Sequence, residues 1–256
     1  MYLIDAQNKK IDRIDSKTFQ ELGFWERKDL QEWIEKTPSC LGDEELLIIQ
    51  KEFDRFNDTN ERLDLLALDK EGTLVVIENK RDDSGKDVCW QALKYVSYCS
   101  TLKTQQIVEI YQEYLDKYFE GTSAKDKMEE FFGIPLTELH LNDRDQRIIL
   151  VAGSFRKEVT STALWMLNHG LRIQCFQASL FDNEGEILLD IEQIIPIKGA
   201  EEYMISMADK AKEDESTKAS SNKTGNLRKR NAEDVQGFAG KGKKTKNETE
   251  DRKPLI

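Results

Sequence analysis

A chain of 256 residues with 38% apolar side chains can bury one sizeable core, while a net charge of −11 argues against a general coat of nucleic-acid affinity. No apolar run approaches the roughly 18 residues that span a bilayer, and "MYLIDAQNKKIDR" lacks a basic region followed by an apolar stretch. Neither a membrane partner nor a secretory signal is therefore expected, and the expected compartment is the cytoplasm.

The four cysteines (Cys40, Cys89, Cys99, Cys175) form no CxxC pair and have no His at ligand spacing, so free thiols are expected rather than structural zinc. His140 and His169 read as surface or core residues. The charge is uneven: residues 1–207 carry −15 and the remainder +4. An acidic body of this kind binds a polyanion only through a local basic groove or bound cations.

Along the chain, residues 1–15 suggest a short hairpin about an Asn-Lys-Lys turn. Helical spacing begins in "SKTFQELGFWERKDLQEWIEK", so residues 1–23 read as a hairpin and lead-in helix. Leu30, Trp33 and Ile34 then make a stripe that Pro38 closes. "ELLIIQKEF" (45–53), "RLDLLAL" (62–68) and "TLVVIENK" (73–80) are short, apolar and bounded by polar turns, which predicts three strands. "DVCWQALKYVSYCSTL" predicts a helix with Val88, Ala92, Tyr95, Cys99 and Leu102 inward, and Ser84 with Asp87 resembles a capping box. Residues 105–132 suggest two amphipathic helices. Then follow a strand (147–155), a helix (160–170), a strand (172–181) and a short segment (186–196).

Beyond about Glu213 the chain turns to Lys, Ser, Asn, Gly and Glu, too poor in large apolar residues to offset ordering entropy. Residues 206–256 therefore read as a disordered charged tail. Its clusters "LRKR" (227–230) and "KGKKTK" (241–246) fit either a solvated linker or a nucleic-acid tether.

The chemistry concentrates in "RLDLLALDKEGTLVVIENKRDD". A three-residue loop, Lys70-Glu71-Gly72, with Gly72 left-handed, would set Leu68 opposite Leu74 and Asp64 opposite Glu78. By alternation Lys80 shares the face of Glu78, and Leu66, Leu68, Leu74 and Val76 continue that face as apolar. Two facing carboxylates repel, by about 0.2–1 kcal/mol even where partly solvated. A bridging divalent cation relieves this, and a pair of oxygen ligands suits Mg²⁺ or Mn²⁺. Metal, activated water and one lysine suffice to hydrolyse a phosphodiester.

Asp64, thirteen intervening residues, then Glu78-Asn79-Lys80 at the end of an apolar strand flanked by helices resembles the PD-(D/E)XK nuclease superfamily, with a likeness to NucS-type bacterial domains. The likeness covers roughly residues 24–181. It implies an α/β fold with a restriction-endonuclease-like αβββαβ core: a mixed central sheet flanked by helices over 24–205, with a helical insertion at about 103–145. It also implies metal binding by Asp64 and Glu78 with Lys80 acting beside them. Gln91 matches the glutamine that often completes the site, and Glu26, on the inward face of the first helix, matches an acid that sometimes joins the metal shell. Glu52 is a weaker candidate for that place. Leu63 stands where the family has proline.

The implied activity is hydrolysis of phosphodiesters, in DNA in preference to RNA, with Mg²⁺ or Mn²⁺ as cofactor and Arg62 and Lys94 as phosphate contacts. Lys86, Arg144, Arg147, Arg156 and Lys157 are further groove candidates. A homodimer would suit double-strand cutting, and a recruiting protein would offset the acidic body. The alternative is a catalytically inactive module of the same fold that binds nucleic acid or protein. The residue-level alternatives are a strand-end ion pair for Asp64, Glu78 and Lys80, a helix-flank polar residue for Gln91, a first-turn acid for Glu26 and a salt-bridge partner for Arg62.

Overall fold

The computed structural model describes residues 1–54, 62–143 and 145–197. Strands β1 (Tyr2–Asp5) and β2 (Lys10–Arg13) form the expected N-terminal hairpin as a two-stranded sheet of their own. The lead-in helix is not found. Ser16–Lys17 instead form β3, and Thr18 and Glu21 close a local turn through their side chains. The reason is tertiary: Phe19 is buried in the core and donates its backbone N–H to Asp82 Oδ1 at 3.0 Å, which pins an irregular segment. Helical structure starts at Glu26, as a π-turn (Glu26–Leu30) that runs into α1 (Gln31–Lys36).

Then come β4 (Leu46–Phe53), β5 (Leu63–Asp69), β6 (Leu74–Asp83) and α2 (Val88–Cys99). The inserted region supplies α3 (Thr104–Tyr118) and α4 (Ala124–Phe132). The chain returns through β7 (Arg147–Ser154), α5 (Lys157–Asn168), β8 (Arg172–Asn183) and β9 (Glu186–Ile195). The main sheet has seven strands: β4, β5 and β6 are antiparallel neighbours, and β6, β7 and β8 run parallel. β9 pairs antiparallel along one edge of β8, and β3 caps the end of the other edge.

This is the expected α/β class, with an α-β-β-β-α-β core, a mixed central sheet flanked by helices and a helical insertion between α2 and β7. The tail expected to be disordered lies outside the described residues, as does Arg144. Among the described residues no helix is long and apolar enough to cross a membrane.

Alternation along β5 and β6 divides the core between two faces. Leu66, Leu68, Leu74 and Val76 pack under α2, α3 and α4 with Tyr95, Cys99, Ile107, Ile110, Tyr114 and Met128. Leu65, Ala67, Val75 and Ile77 pack on the other face against Phe19, Leu30, Ile34 and Phe176. A strand buried on both faces reads as an unbroken apolar run, which explains "LLAL" and "LVVI".

The β5–β6 turn is the expected one. Gly72 has φ +78°, and Asp69 Oδ1 accepts from the backbone N–H groups of Glu71 and Thr73. The strand pairs, Leu68 with Leu74 through Leu65 with Ile77, follow the predicted register. The expected Ser84–Asp87 capping box is absent. The Ser84 hydroxyl accepts from Arg156 N, and its own backbone N–H donates to Ser154 O, so Ser84 ties β6 to β7 instead.

Candidate active site

Asp64 opens β5, and Glu78 and Lys80 lie past the last β5–β6 rung. One rung beyond Leu65 and Ile77 places Asp64 opposite Glu78. There the Asp64 side chain takes over from the backbone: Oδ2 accepts the Asn79 N–H at 2.7 Å. β7 supports the far side of β6, with Glu78 beside Leu150 in parallel register. Both carboxylates are almost fully buried, Asp64 at 3% exposure and Glu78 at 1%. Lys80 reaches back along the same face, its Nζ 2.8 Å from Glu78 Oε1. The second oxygen, Glu78 Oε2, is buried and has no hydrogen-bond partner.

Burial sets the electrostatics. It raises the Asp64 carboxyl to about 6, against the opposing pull of Lys80 and the Asn79 N–H. Glu78 rises further, to about 8, because its burial, joined by the Asp64 charge, outweighs the charge and hydrogen bond of Lys80. Lys80 loses water, which disfavours its charge. The surrounding Glu78, Asp64 and Glu26 carboxylates more than offset that, so it remains an ammonium at neutral pH. The site thus holds two acids that resist joint ionisation beside one permanent cation.

Two further acids approach. Glu26, at the first position of the π-turn, accepts the Arg81 N–H at Oε2 (3.1 Å) and places Oε1 3.8 Å from Lys80 Nζ. Both its oxygens thus serve the strand end and the lysine. Glu52, on β4, has a left-handed backbone (φ +52°) and raises the Asp64 carboxyl through its charge. Arg27, at 3.3 Å, and Arg62, at 3.9 Å, pair with Glu52, so Arg62 forms an ion pair at the mouth of the site.

Among the described residues the Gln91 side chain bonds to Tyr95 and not to the carboxylates. Its Nε2 donates to the Tyr95 hydroxyl at 3.1 Å, and that hydroxyl donates to the Arg62 carbonyl at 2.8 Å, one turn of α2 holding the start of β5. Lys94 lies on the same helix, half-buried. Arg147 is no groove residue. It is buried at the far end of β5 and bound to Asp69 (2.9 Å), Glu44 and Gln174. Arg156 pairs with Asp83 at 2.6 Å.

Sequence reasoning did not anticipate the Tyr95 hydroxyl link or the Arg81 guanidinium set over the Trp25 ring at 5.5 Å. Tyr95 carried a signal only as a member of the buried stripe.

The donor set fits a hard divalent cation. It comprises two nearly water-free carboxylates, one with an unpartnered oxygen, whose mutual repulsion a cation would relieve. Among the described residues no group of three or more His, Cys, Asp or Glu could hold a metal, so Glu26 does not complete a three-acid cage. The residues that could hold such an ion are Asp64 and Glu78.

No protein-family model and no curated protein matches the sequence. Among solved structures, the EndoMS–dsDNA2 complex matches with a TM-score of 0.34 and a repair endonuclease from Pyrococcus abyssi with 0.28, each at 17% identity over 65% of this chain. The chain spans 50% of the length of each. At these scores the likeness bears on no residue of the site.

Proposed function

We propose that the chain is a metal-dependent nuclease of the PD-(D/E)XK type that hydrolyses phosphodiester bonds, in DNA by its sequence resemblance, with Asp64, Glu78 and Lys80 at the centre. The observation that carries this reading is Glu78. A carboxylate at 1% exposure, with one oxygen unpartnered and a second acid beside it, is an arrangement that folding alone does not favour. Asp64 and Glu78 would hold Mg²⁺ or Mn²⁺, which supplies Lewis-acid polarisation of a phosphate oxygen and a more acidic water.

Lys80 is a donor and not a base. With one hydrogen directed at Glu78, its ammonium has others for a phosphate oxygen as negative charge grows there. Glu26 holds Lys80 in that position. Gln91 acts through Tyr95 and the Arg62 carbonyl, as a positioning residue. Arg62 and Lys94 are the proposed phosphate contacts.

The test is incubation of the protein with single- and double-stranded DNA and RNA in Mg²⁺ or Mn²⁺. Glu78→Ala and Lys80→Ala should each lower cleavage at least ~10²-fold. Cleavage that persists in both removes the site. The acidic body (−15 over residues 1–207) favours a second reading, an inactive module of this fold. Binding of the same oligonucleotides without cleavage in either metal would select it.

A further inference from the structure

The helix that holds the site's entry strand has an unusual outer surface. Val88, Cys89, Ala92, Tyr95 and Cys99 fill the buried side of α2. The opposite side of a core helix is normally charged or polar. Here it presents Trp90 at 65% exposure and Tyr98 at 43%, with Lys94 between them at four-residue steps. Three such positions lie on one stripe, about 6 Å apart along the axis.

The helix also brings no acid of its own to this face. Residues 88–108 contain no Asp or Glu, in a chain that has 49. On a body of net negative charge, a helix face that brings no acid of its own and sets a lysine between two aromatic rings is complementary to a polyanion with flat, stackable groups. Trp90 is the immediate neighbour of Gln91, whose amide leads through Tyr95 to the Arg62 carbonyl at the head of β5. The stripe therefore lies on the helix that holds the site's entry strand.

We propose that Trp90, Lys94 and Tyr98 form the contact surface for the nucleic-acid strand that enters the site, with the rings taking bases or sugars and Lys94 a phosphate. This rests on the nucleic-acid reading above and adds the track by which the strand is held.

The test is fluorescence anisotropy of labelled single-stranded and duplex oligonucleotides with the full chain, in EDTA and in Ca²⁺, alongside cleavage in Mg²⁺. Trp90→Ala and Tyr98→Ala should each weaken binding of at least one form roughly tenfold. Lys94→Ala should lower the slope of log affinity against log salt by about 1. Lys94→Glu, which leaves the rings in place, should weaken binding further than Lys94→Ala.

Unchanged binding in all four variants, or a wild type that binds neither form, overturns the inference. So does a change from dimer to monomer with binding unchanged, which would give the stripe to a second copy. Loss of binding in the variants with no cleavage by wild type sustains the inference and removes the nuclease reading. Cleavage by wild type with variant binding unchanged does the reverse.

Discussion

Asp64 and Glu78 show how one residue's environment can be tested through another's. In Asp64→Asn the amide oxygen can still accept the Asn79 N–H, so the backbone link survives while the charge that raises Glu78 is gone. Without metal, this variant should melt a few degrees higher than wild type, in line with the roughly 0.2–1 kcal/mol cost of facing like charges. It should also lose the stabilisation that Mn²⁺ gives wild type, as read by thermal melts with and without the ion. An Asp64 that served only as an ion-pair partner would make the variant melt lower and leave both proteins indifferent to Mn²⁺.

The pH dependence follows from the same pair. Both folded carboxyls lie above their ordinary values of 3.8 and 4.5, so between those values and about 8 the folded state holds protons that the unfolded chain has released. Their contribution is present in full at low pH and is lost as pH rises through about 6 and then about 8. Chemical denaturation from pH 4.5 to 8.5 in EDTA should show this decline, and Glu78→Gln should flatten it. A wild type whose stability rose over that interval would contradict the assignment.

At the scale of elements, Gly72 in the β5–β6 turn and Gly153 on β7, which approach opposite ends of β6, separate fold from site. Gly72 combines φ +78° with an approach in which an added Cβ would meet His140 O and Leu141 Cδ2 at 3.2 Å. Gly72→Ala should cost about 1–2 kcal/mol, by denaturant titration, with little change in cleavage per folded molecule. At Gly153 an added Cβ would lie 2.7 Å from Asp82 O, a backbone atom of the strand end that bears Lys80. Gly153→Ala should therefore lower stability and cleavage together. Equal effects of the two substitutions on cleavage would break the assignment.

The same elements mark what the sequence made legible. The β5–β6 register was readable because a left-handed glycine, a three-residue loop and alternating apolar residues all agree. The stretch before Glu26 has helical spacing and yet is irregular, because Phe19 answers to a contact with Asp82, 63 residues away, and not to local spacing. Glu26 was found by its inward position, but its partners lie on β6, across a separation that periodicity does not report. Arg147, one of several basic residues in sequence, is distinguished only by the buried Asp69 at its side.

For the whole molecule the difficulty is charge. A body at −15 brings Glu26, Glu52, Asp64 and Glu78 to one place and asks a phosphate to approach them. Lys80, Arg27 and Arg62 are already committed to those acids by ion pairs, so their charge is largely balanced within the site. Unit charges a few ångströms apart near a protein surface interact by one to several kcal/mol, so one uncompensated carboxylate shifts phosphate affinity by roughly tenfold or more. A divalent cation reverses the sign at little structural cost, because the two carboxylates that would hold it are already adjacent. Oligonucleotide affinity should therefore rise roughly tenfold from EDTA to Ca²⁺ at equal ionic strength. Above about pH 8, where Glu78 is ionised, Glu78→Gln should bind more tightly than wild type in EDTA, yet gain less from the ion. Because this compares affinities and not turnover, it holds for an inactive module as much as for a nuclease. An affinity insensitive to the cation in both proteins would mean that the strand never comes near these acids, and would detach binding from the site altogether.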